Sequence, residues 1–270
     1  MSTFNYNNAL RKNLKIPVQQ KPIIKIKPTI KSVTQKELSR LKPVINAARA
    51  RGKDGRIPKK VNSTGYEPQN GMTCVMNPTL ETISRFGKPL YDSIMNDSWL
   101  SNIFFPVSPE GYHVTLIGME YHVTLIGMEY ADIQFTDKKI EDIAAELLMG
   151  QNYLDKLFPS VVEFYANEPK NGRPGMNMNP KTSNLKTQCR TAEDKMKSKL
   201  GIYRKYPQNW HMTLGYFKPG TKNRDKNDAQ DVILDIIQDI LKGKNILTFN
   251  SPDIAVYKDH TQYFPLFDRV

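Results

Sequence analysis

The segment WHMTLGYF, residues 210–217, alternates polar and apolar side chains around a His-x-Thr triplet. This alternation is typical of a β-strand, in which successive side chains point to opposite faces. His211 and Thr213 therefore emerge side by side, while Met212 and Leu214 face the other way. Such a strand sets an imidazole, which takes up and releases protons near neutral pH, beside a hydroxyl that can hold an oxyanion.

The same triplet occurs earlier in the chain, inside a tandem repeat. Residues 112–120 read YHVTLIGME, and residues 121–129 repeat the same nine letters. The two copies are not independent of each other, but the settings near residue 113 and at residue 211 are. Two such strands facing each other would supply one base, one acid and two hydroxyls around one phosphate. Those groups are sufficient to attack a phosphodiester without a metal.

Two separated His-x-Thr motifs on strands resemble the two-histidine (2H) phosphoesterase superfamily. Its members include RNA 2′,3′-cyclic phosphodiesterases, RNA 2′–5′ ligase-like proteins and 2′,5′-oligoadenylate phosphodiesterases. The resemblance rests on PEGYHVTL, residues 109–116, and on HMTL, residues 211–214. It implies an α+β, two-lobed fold, in which each lobe is a small antiparallel sheet with helices and the site lies in the central cleft. It also implies that each His acts as acid or base, that each Thr holds the phosphate, and that no cofactor is needed.

The repeat leaves open which copy enters the site. The candidates are three catalytic histidines and three substrate-binding threonines, namely His113, His122, His211, Thr115, Thr124 and Thr213. Nine is odd, so in one continuous strand His113 and His122 would point to opposite faces, about 30 Å apart. Either one copy forms the motif strand, or residues 118–120 turn and the copies pair as a hairpin. The adjoining Pro-Glu-Gly turn favours His113 with Thr115. The direct connection to the next helix downstream favours His122 with Thr124.

The net charge of +12 is unevenly distributed. Residues 1–60 hold 16 Lys and Arg and two acids, whereas the remaining 23 basic and 25 acidic residues nearly cancel. We therefore expect residues 1–65 to be a basic, mostly disordered tail and residues 66–270 to be the 2H-like domain. Thr34 and Glu37 predict a helix near residues 34–51, although Pro43 opposes it. The tail is either a solvated appendage or an arm that contacts nucleic-acid phosphates, or a nuclear-targeting patch.

The compartment is indicated by cysteine usage and hydropathy. Cys74 and Cys189 are too few for a disulfide framework and predict free thiols in a reducing environment. No run of 18 apolar residues predicts a membrane span, and residues 1–30 lack the apolar core of a secretory signal. We expect a cytoplasmic or nuclear monomer without membrane contact, acting on RNA or an oligonucleotide. The acid-poor N-terminal region leaves organelle import open.

Periodicity predicts the other elements. Helices are expected over 77–96, 137–149, 183–200 and 228–242, and strands over 72–76, 161–168, 210–217, 245–250 and 253–258. Residues 168–182, rich in Pro, Gly and Asn, are expected to form a long loop. A β-α-β-β order thus occurs roughly twice, once for each motif, which is consistent with two lobes.

Some residues have no motif to assign them. His260 falls in a predicted turn and is expected at the surface; a zinc site formed by His113, His211 and His260 is an alternative without a carboxylate or thiolate at ligand spacing. The basic run 195–204 is either a steering surface or a solvated helix face. Five aromatic residues are candidates for stacking a base, namely Tyr203, Tyr206, Tyr216, Tyr257 and Phe264.

Two other functional classes remain open. A damaged catalytic half, displaced by the repeat, would leave an RNA- or nucleotide-binding module with a basic arm. A structural protein with a basic arm would neither turn over nor bind RNA ends.

Overall fold

The computed structural model describes residues 32–54, 59–117, 138–169, 174–200 and 210–269. A compact unit runs from Val33 to Val270. Several predictions lie outside the described residues: the character of residues 1–31, the repeat copy that carries His122 and Thr124, and the candidate stacking residues Tyr203 and Tyr206.

Most of the helices lie in segments that the sequence predicted as helical, although residues 98–103 were not predicted and the helix expected over 137–149 runs to residue 157. In chain order they are α1 (Gln35–Asp54), α2 (Leu80–Thr82), α3 (Lys88–Asn96), α4 (Ser98–Ile103), α5 (Ile140–Leu157), α6 (Ser183–Leu200) and α7 (Asn223–Leu241). A π-helical segment (Ile83–Gly87) joins α2 to α3, so residues 80–96 form one helical run, which the sequence predicted as a single helix. Lys242 and Gly243 adopt positive φ angles and end α7, as Gly243 predicted.

The strands form one long sheet and one short ribbon. They are β1 (Gly71–Met76), β2 (Phe104–Pro106), β3 (Val114–Ile117), β4 (Val161–Pro169), β5 (Gly175–Pro180), β6 (His211–Thr213), β7 (Gly215–Phe217), β8 (Ile246–Asn250), β9 (Asp253–Tyr257) and β10 (Phe264–Pro265). Eight of them make an antiparallel sheet in the order β10-β9-β1-β3-β6-β5-β4-β8, and β2 pairs with β7 separately. The fold is therefore a mixed α/β arrangement built on antiparallel strands.

The long sheet has two four-stranded halves that meet at one pair of residues. One half ends at β3 and the other at β6, and the pairing between them is Val114 with Met212. The sheet curls, because only Ser251 and Pro252 separate β8 at one end from β9 near the other. The backbone N–H of Asn250 donates to the carbonyl of Asn77, which brings the end of β8 beside the end of β1.

A helical layer covers one face of this sheet. Helix α5 packs between α1 and α6. Together these three helices pack on strands β9, β1, β3 and β5. The apolar side chains of the strands on this face are fully buried, among them Val114, Leu116 and Met212. A smaller buried cluster lies on the opposite face, formed by Val75, Ala255, Tyr257 and Tyr263. None of the helices in the described part of the chain has the length and apolarity needed to span a bilayer.

The structure differs from the expected domain boundary at residue 66, because α1 belongs to the compact unit. Leu41, Val44 and Ile45 follow the i, i+3, i+4 spacing of a buried helix face and join the main core. The high Lys and Arg content of this region hid that stripe. The predicted cap is present: Glu37 N–H donates to Thr34 Oγ1, and Thr34 N–H donates to Glu37 Oε2.

Two other predictions were wrong. Residues 175–180, expected in a loop, form β5, because Met176 and Met178 point into the core while the alternating Asn side chains face outward. Residues 210–217, expected as one strand, divide into β6 and β7, which belong to different sheets. The division coincides with Gly215, where a Cβ would collide with the Phe105 carbonyl and the Phe104 ring.

Candidate functional site

The two His-x-Thr motifs lie side by side where the halves of the sheet meet. With Val114 opposite Met212 in an antiparallel pair, His113 lies opposite Thr213, and Thr115 lies opposite His211. All four side chains point away from the fully buried face that Val114 and Met212 occupy. Opposite Cα atoms in such a pair are about 5 Å apart and diagonal ones about 7–8 Å. The two imidazoles thus stand on a diagonal, with a threonine beside each.

The two histidines have different surroundings. His113 is 7% exposed, whereas His211 is exposed. The Nδ1–H of His113 donates to the carbonyl oxygen of Gly111 at 2.8 Å, since a carbonyl can only accept. That bond fixes the tautomer of the neutral ring and makes Nε2 the nitrogen with a lone pair. His113 is therefore oriented as a proton acceptor.

The same burial disfavours the charged form of His113. Desolvation is the largest effect and lowers the pKa of His113 from 6.5 to about 4; the charges of His211 and Lys60 add to it, while the bond to Gly111 opposes it. The influence of His211 on this pKa is consistent with the closeness that the strand register gives. His113 is thus neutral at pH 7.

Tyr263 forms the wall beside His113. The two ring centroids are 4.0 Å apart, with the planes inclined at 47°. The Tyr263 hydroxyl is 3.1 Å from His260 Nδ1, and His260 Nε2 is 3.2 Å from Gln69 Oε1. His260, expected at the surface, is only 2% exposed, because its ring is surrounded by Tyr216, Tyr257 and Tyr263. It supports the residue that shields His113.

The zinc alternative is not favoured by this arrangement. Both ring nitrogens of His260 are engaged by Tyr263 and Gln69, so His260 is not oriented as a third ligand for His113 and His211. Within the described ranges, no three His, Cys, Asp or Glu side chains are grouped as metal ligands. Both cysteines are buried free thiols, as the sequence predicted.

Sequence analysis missed three residues near the motifs. Asn177 of β5 lies opposite His211 and is half-buried on the same face. Lys60, from the segment before β1, is close enough to lower the pKa of His113. Tyr263 stacks on His113. The Met-Asn-Met-Asn alternation at 176–179 was a local signal for Asn177, whereas nothing local indicates Lys60 or Tyr263.

The aromatic candidates for stacking have different environments. Tyr257 is 1% exposed and packs among His260 and Tyr263, so it is part of the wall and presents no open face. Tyr216 is half-buried in the ribbon of β2 and β7, and Phe264 is 48% exposed on the edge strand β10. Tyr216 therefore remains a candidate near the motifs.

Comparisons with known proteins give a fold and no activity. No family model matches the sequence, and no curated protein matches it. A solved structure described as ATU0111, a conserved protein of unknown function from Agrobacterium tumefaciens strain C58, matches with a TM-score of 0.55 at 12% sequence identity. The match covers 77% of this chain and 90% of that chain. At this identity the similarity shows a shared fold alone.

Proposed function

We propose that this protein is a metal-independent phosphodiesterase that cleaves RNA-derived phosphodiesters, either a 2′,3′-cyclic phosphate or a 2′–5′ linkage. The observation that carries the proposal is the register of β3 against β6. It sets His113, Thr115, His211 and Thr213 on one face, with the histidines on a diagonal. A phosphate between them would meet one proton acceptor, one proton donor and two hydroxyls.

His113 suits the role of base and His211 that of acid. In hydrolysis of a cyclic phosphate, His113 Nε2 takes a proton from the attacking water as its oxygen bonds to phosphorus. The bond from phosphorus to one ribose oxygen breaks, and His211 donates a proton to that oxygen. Thr115 and Thr213 donate to the non-bridging oxygens, where negative charge increases in the transition state. The product is a phosphomonoester, and proton exchange with water restores both rings.

The low pKa of His113 in the free protein is compatible with a role as base, because a bound phosphate would raise it. A neutral ring is needed to accept a proton, and burial keeps His113 neutral. A bound phosphate brings negative charge next to the ring and raises its pKa, since opposite charge favours the imidazolium. The base therefore becomes stronger when the substrate is bound.

The sheet supports the two-lobed 2H architecture as part of the same proposal. Each four-stranded half carries one His-x-Thr motif on its inner strand, β3 or β6. The solved structure with the same fold has no known function, so it neither supports nor opposes an activity. The support comes from the two motifs and their geometry.

The test is hydrolysis by the purified full chain in excess EDTA. The substrates are a 2′,3′-cyclic nucleotide, a 2′–5′-linked oligoadenylate and an RNA with a terminal cyclic phosphate. We expect turnover of at least one, reduced by about 10² to 10⁴-fold in His113→Ala and in His211→Ala, the usual contribution of general acid–base catalysis. His122→Ala is a matched control, because it removes the same residue from an identical nine-residue sequence.

Three results would contradict parts of the proposal. A folded His211→Ala protein with near-wild-type turnover would exclude the two-histidine mechanism. Loss of turnover in His122→Ala but not in His113→Ala would assign the second copy to the site. Binding of a cyclic-phosphate end without turnover of any substrate would favour the catalytically degenerate binding module.

A further inference from the structure

A group of aromatic and basic side chains lies next to the sheet face that carries the two His-x-Thr motifs, beyond its His113 end. It sits on the ribbon of β2 and β7, where Phe105 pairs with Tyr216 and Phe104 pairs with Phe217. Phe104 is buried in the core, and Tyr216 and Phe217 are partly buried against it. Tyr66 packs against the rings of Phe105 and Tyr216, with ring centroids 6.3 Å and 5.8 Å apart, respectively. We call Tyr66, Phe105 and Tyr216, with Lys60 and Lys218, the aromatic shelf.

Two lysines are held on this shelf. Lys60 Nζ donates to the Tyr216 hydroxyl at 3.1 Å. Lys218 Nζ lies 4.6 Å from the centre of the Phe105 ring and donates to the Ser101 carbonyl at 2.9 Å. The ammonium groups are therefore fixed beside the rings, which lowers the entropy cost of using them to bind an anion.

The shelf adjoins the His–Thr face. Tyr216 follows Thr213 by three residues, so it lies within roughly 10 Å of Thr213 at about 3.3 Å per residue. The charge of Lys60 also lowers the pKa of His113, which requires the two side chains to be near each other. A chain of ring contacts also joins them: Tyr263 packs against His113, His260 contacts Tyr263, and the centroid of the His260 ring is 6.0 Å from that of Tyr216.

The local charge favours an anionic partner. Burial, followed by the effect of neighbouring Tyr216, raises the pKa of Tyr66 well above its usual value, so its hydroxyl is neutral, and it donates to the Phe105 carbonyl. Two ammonium groups, those of Lys60 and Lys218, therefore face one nearby carboxylate, that of Asp259, which accepts from the backbone and hydroxyl of Thr261. Two ammonium groups and half-buried rings are the combination that holds single-stranded nucleic acid, through its phosphates and its bases.

We infer that the aromatic shelf binds the nucleotide next to the reacting phosphodiester, with Lys60 on its phosphate and the rings against its base. This inference rests on the proposed function and names its preferred substrate. The protein would act on the end of an oligonucleotide in preference to an isolated cyclic mononucleotide. Lys60 then serves binding of the neighbouring phosphate and does not take part in the chemical step.

The first test compares two substrates that differ only by the neighbouring nucleotide. They are a 2′,3′-cyclic mononucleotide and a trinucleotide that ends in the same cyclic phosphate. At pH 7.5 we expect Lys60→Gln to raise KM for the trinucleotide by about tenfold, with kcat changed less than about twofold, the pattern of lost ground-state binding. We expect a smaller rise in KM for the cyclic mononucleotide, because it lacks the phosphate that Lys60 would contact, so the ratio between the two substrates changes.

The matched control is Lys181→Gln. Lys181 pairs with Glu163 at the far end of β5, away from the shelf, so its loss removes the same charge without changing the ratio between the two substrates. An equal loss on both substrates in Lys60→Gln would overturn the inference, because Lys60 would then act on the reacting phosphate. An unchanged KM for the trinucleotide would also overturn it.

The second test needs no turnover, so it separates failure of the inference from failure of the proposed function. It measures, by fluorescence anisotropy, the affinity for a labelled trinucleotide with a 3′-phosphate across a range of salt concentrations. Loss of one phosphate contact should make the slope of log affinity against log salt shallower by about 0.7 in Lys60→Gln. Parallel slopes for wild type and Lys60→Gln would exclude a phosphate contact, even if the protein turned over no substrate.

Discussion

Removing the Tyr263 ring should return the pKa of His113 towards its ordinary value. The ring lies 4.0 Å from the imidazole and excludes water from that side, and desolvation is the largest effect on this pKa. The full change from 6.5 to about 4 corresponds to roughly 3 kcal/mol, since one pKa unit is about 1.4 kcal/mol. Tyr263 is one wall among several, so we expect Tyr263→Ala to raise the pKa by at least about one unit, a tenfold change in the protonation equilibrium.

The measurement is an NMR titration of the histidine rings, which needs no substrate. The chain has four histidines, so single His→Ala variants assign each signal. In wild type the His113 signal should titrate near pH 4, and in Tyr263→Ala it should move towards 6. Tyr263→Phe is the control, because it keeps the ring on His113 and removes only the bond to His260. A wild-type His113 that titrates near 6.5, or an unchanged value in Tyr263→Ala, would refute the reasoning.

The same burial makes stability depend on pH in a fixed direction. Between pH 6.5 and 4 the unfolded chain binds a proton on His113 that the folded chain does not, so acidification favours unfolding. The contribution of this ring is complete above pH 6.5 and is lost as the pH falls towards 4. Between pH 7 and pH 5 the loss amounts to about 2 kcal/mol, which a folded His113→Ala protein should not show in urea denaturation.

The remaining predictions concern the fold that holds the site. Burial raises the pKa of Asp253 to about 6 despite its bond to Arg269, so protonation stabilises the folded state below that pH. When the pH falls from 7 to 4.5, the unfolding free energy of wild type, measured by urea denaturation, should therefore rise by about 2 kcal/mol relative to that of Asp253→Asn. Gly215→Ala should lower the melting temperature and weaken turnover, because the new Cβ meets the Phe105 carbonyl beside β6; an unchanged melting temperature would contradict this. Thr34→Ala should cost about 1 kcal/mol of unfolding free energy through the lost cap, and no loss would mean that α1 contributes little to folding.

Local patterns predicted the elements that local forces determine. Residues 183–200, predicted as a polar, basic helix, form α6 at those bounds, and alternation around His211 predicted a strand there. The cap at Thr34 followed from a hydroxyl and a carboxylate three residues apart. Each of these features is determined by interactions between residues that are close in sequence.

Long-range pairing could not be predicted in the same way. The contact of β3 with β6 joins residues almost a hundred positions apart, and no periodicity encodes which strands pair. The burial of His260 depends on Gln69, which is 191 residues away. The strand β5 was missed because asparagine and glycine disfavour strands locally, whereas pairing with β4 and β6 on both sides outweighs that preference. The two motifs could therefore be predicted from the sequence, whereas the residues that pair with them and support them could not.

The sequence left the choice between the repeat copies open, and Gly111 provides the physical reason for the first. Its carbonyl accepts the Nδ1–H of His113, and its α-carbon packs so closely against the Thr261 carbonyl that a Cβ there would collide. The second copy is identical from its tyrosine onward, but the residue two positions before His122 is Glu120. If that copy took the place of the first in β3, the Glu120 side chain would collide with the Thr261 carbonyl and with Val107. The turn before the motif therefore favours the first copy, and comparing turnover of His113→Ala and His122→Ala tests that preference.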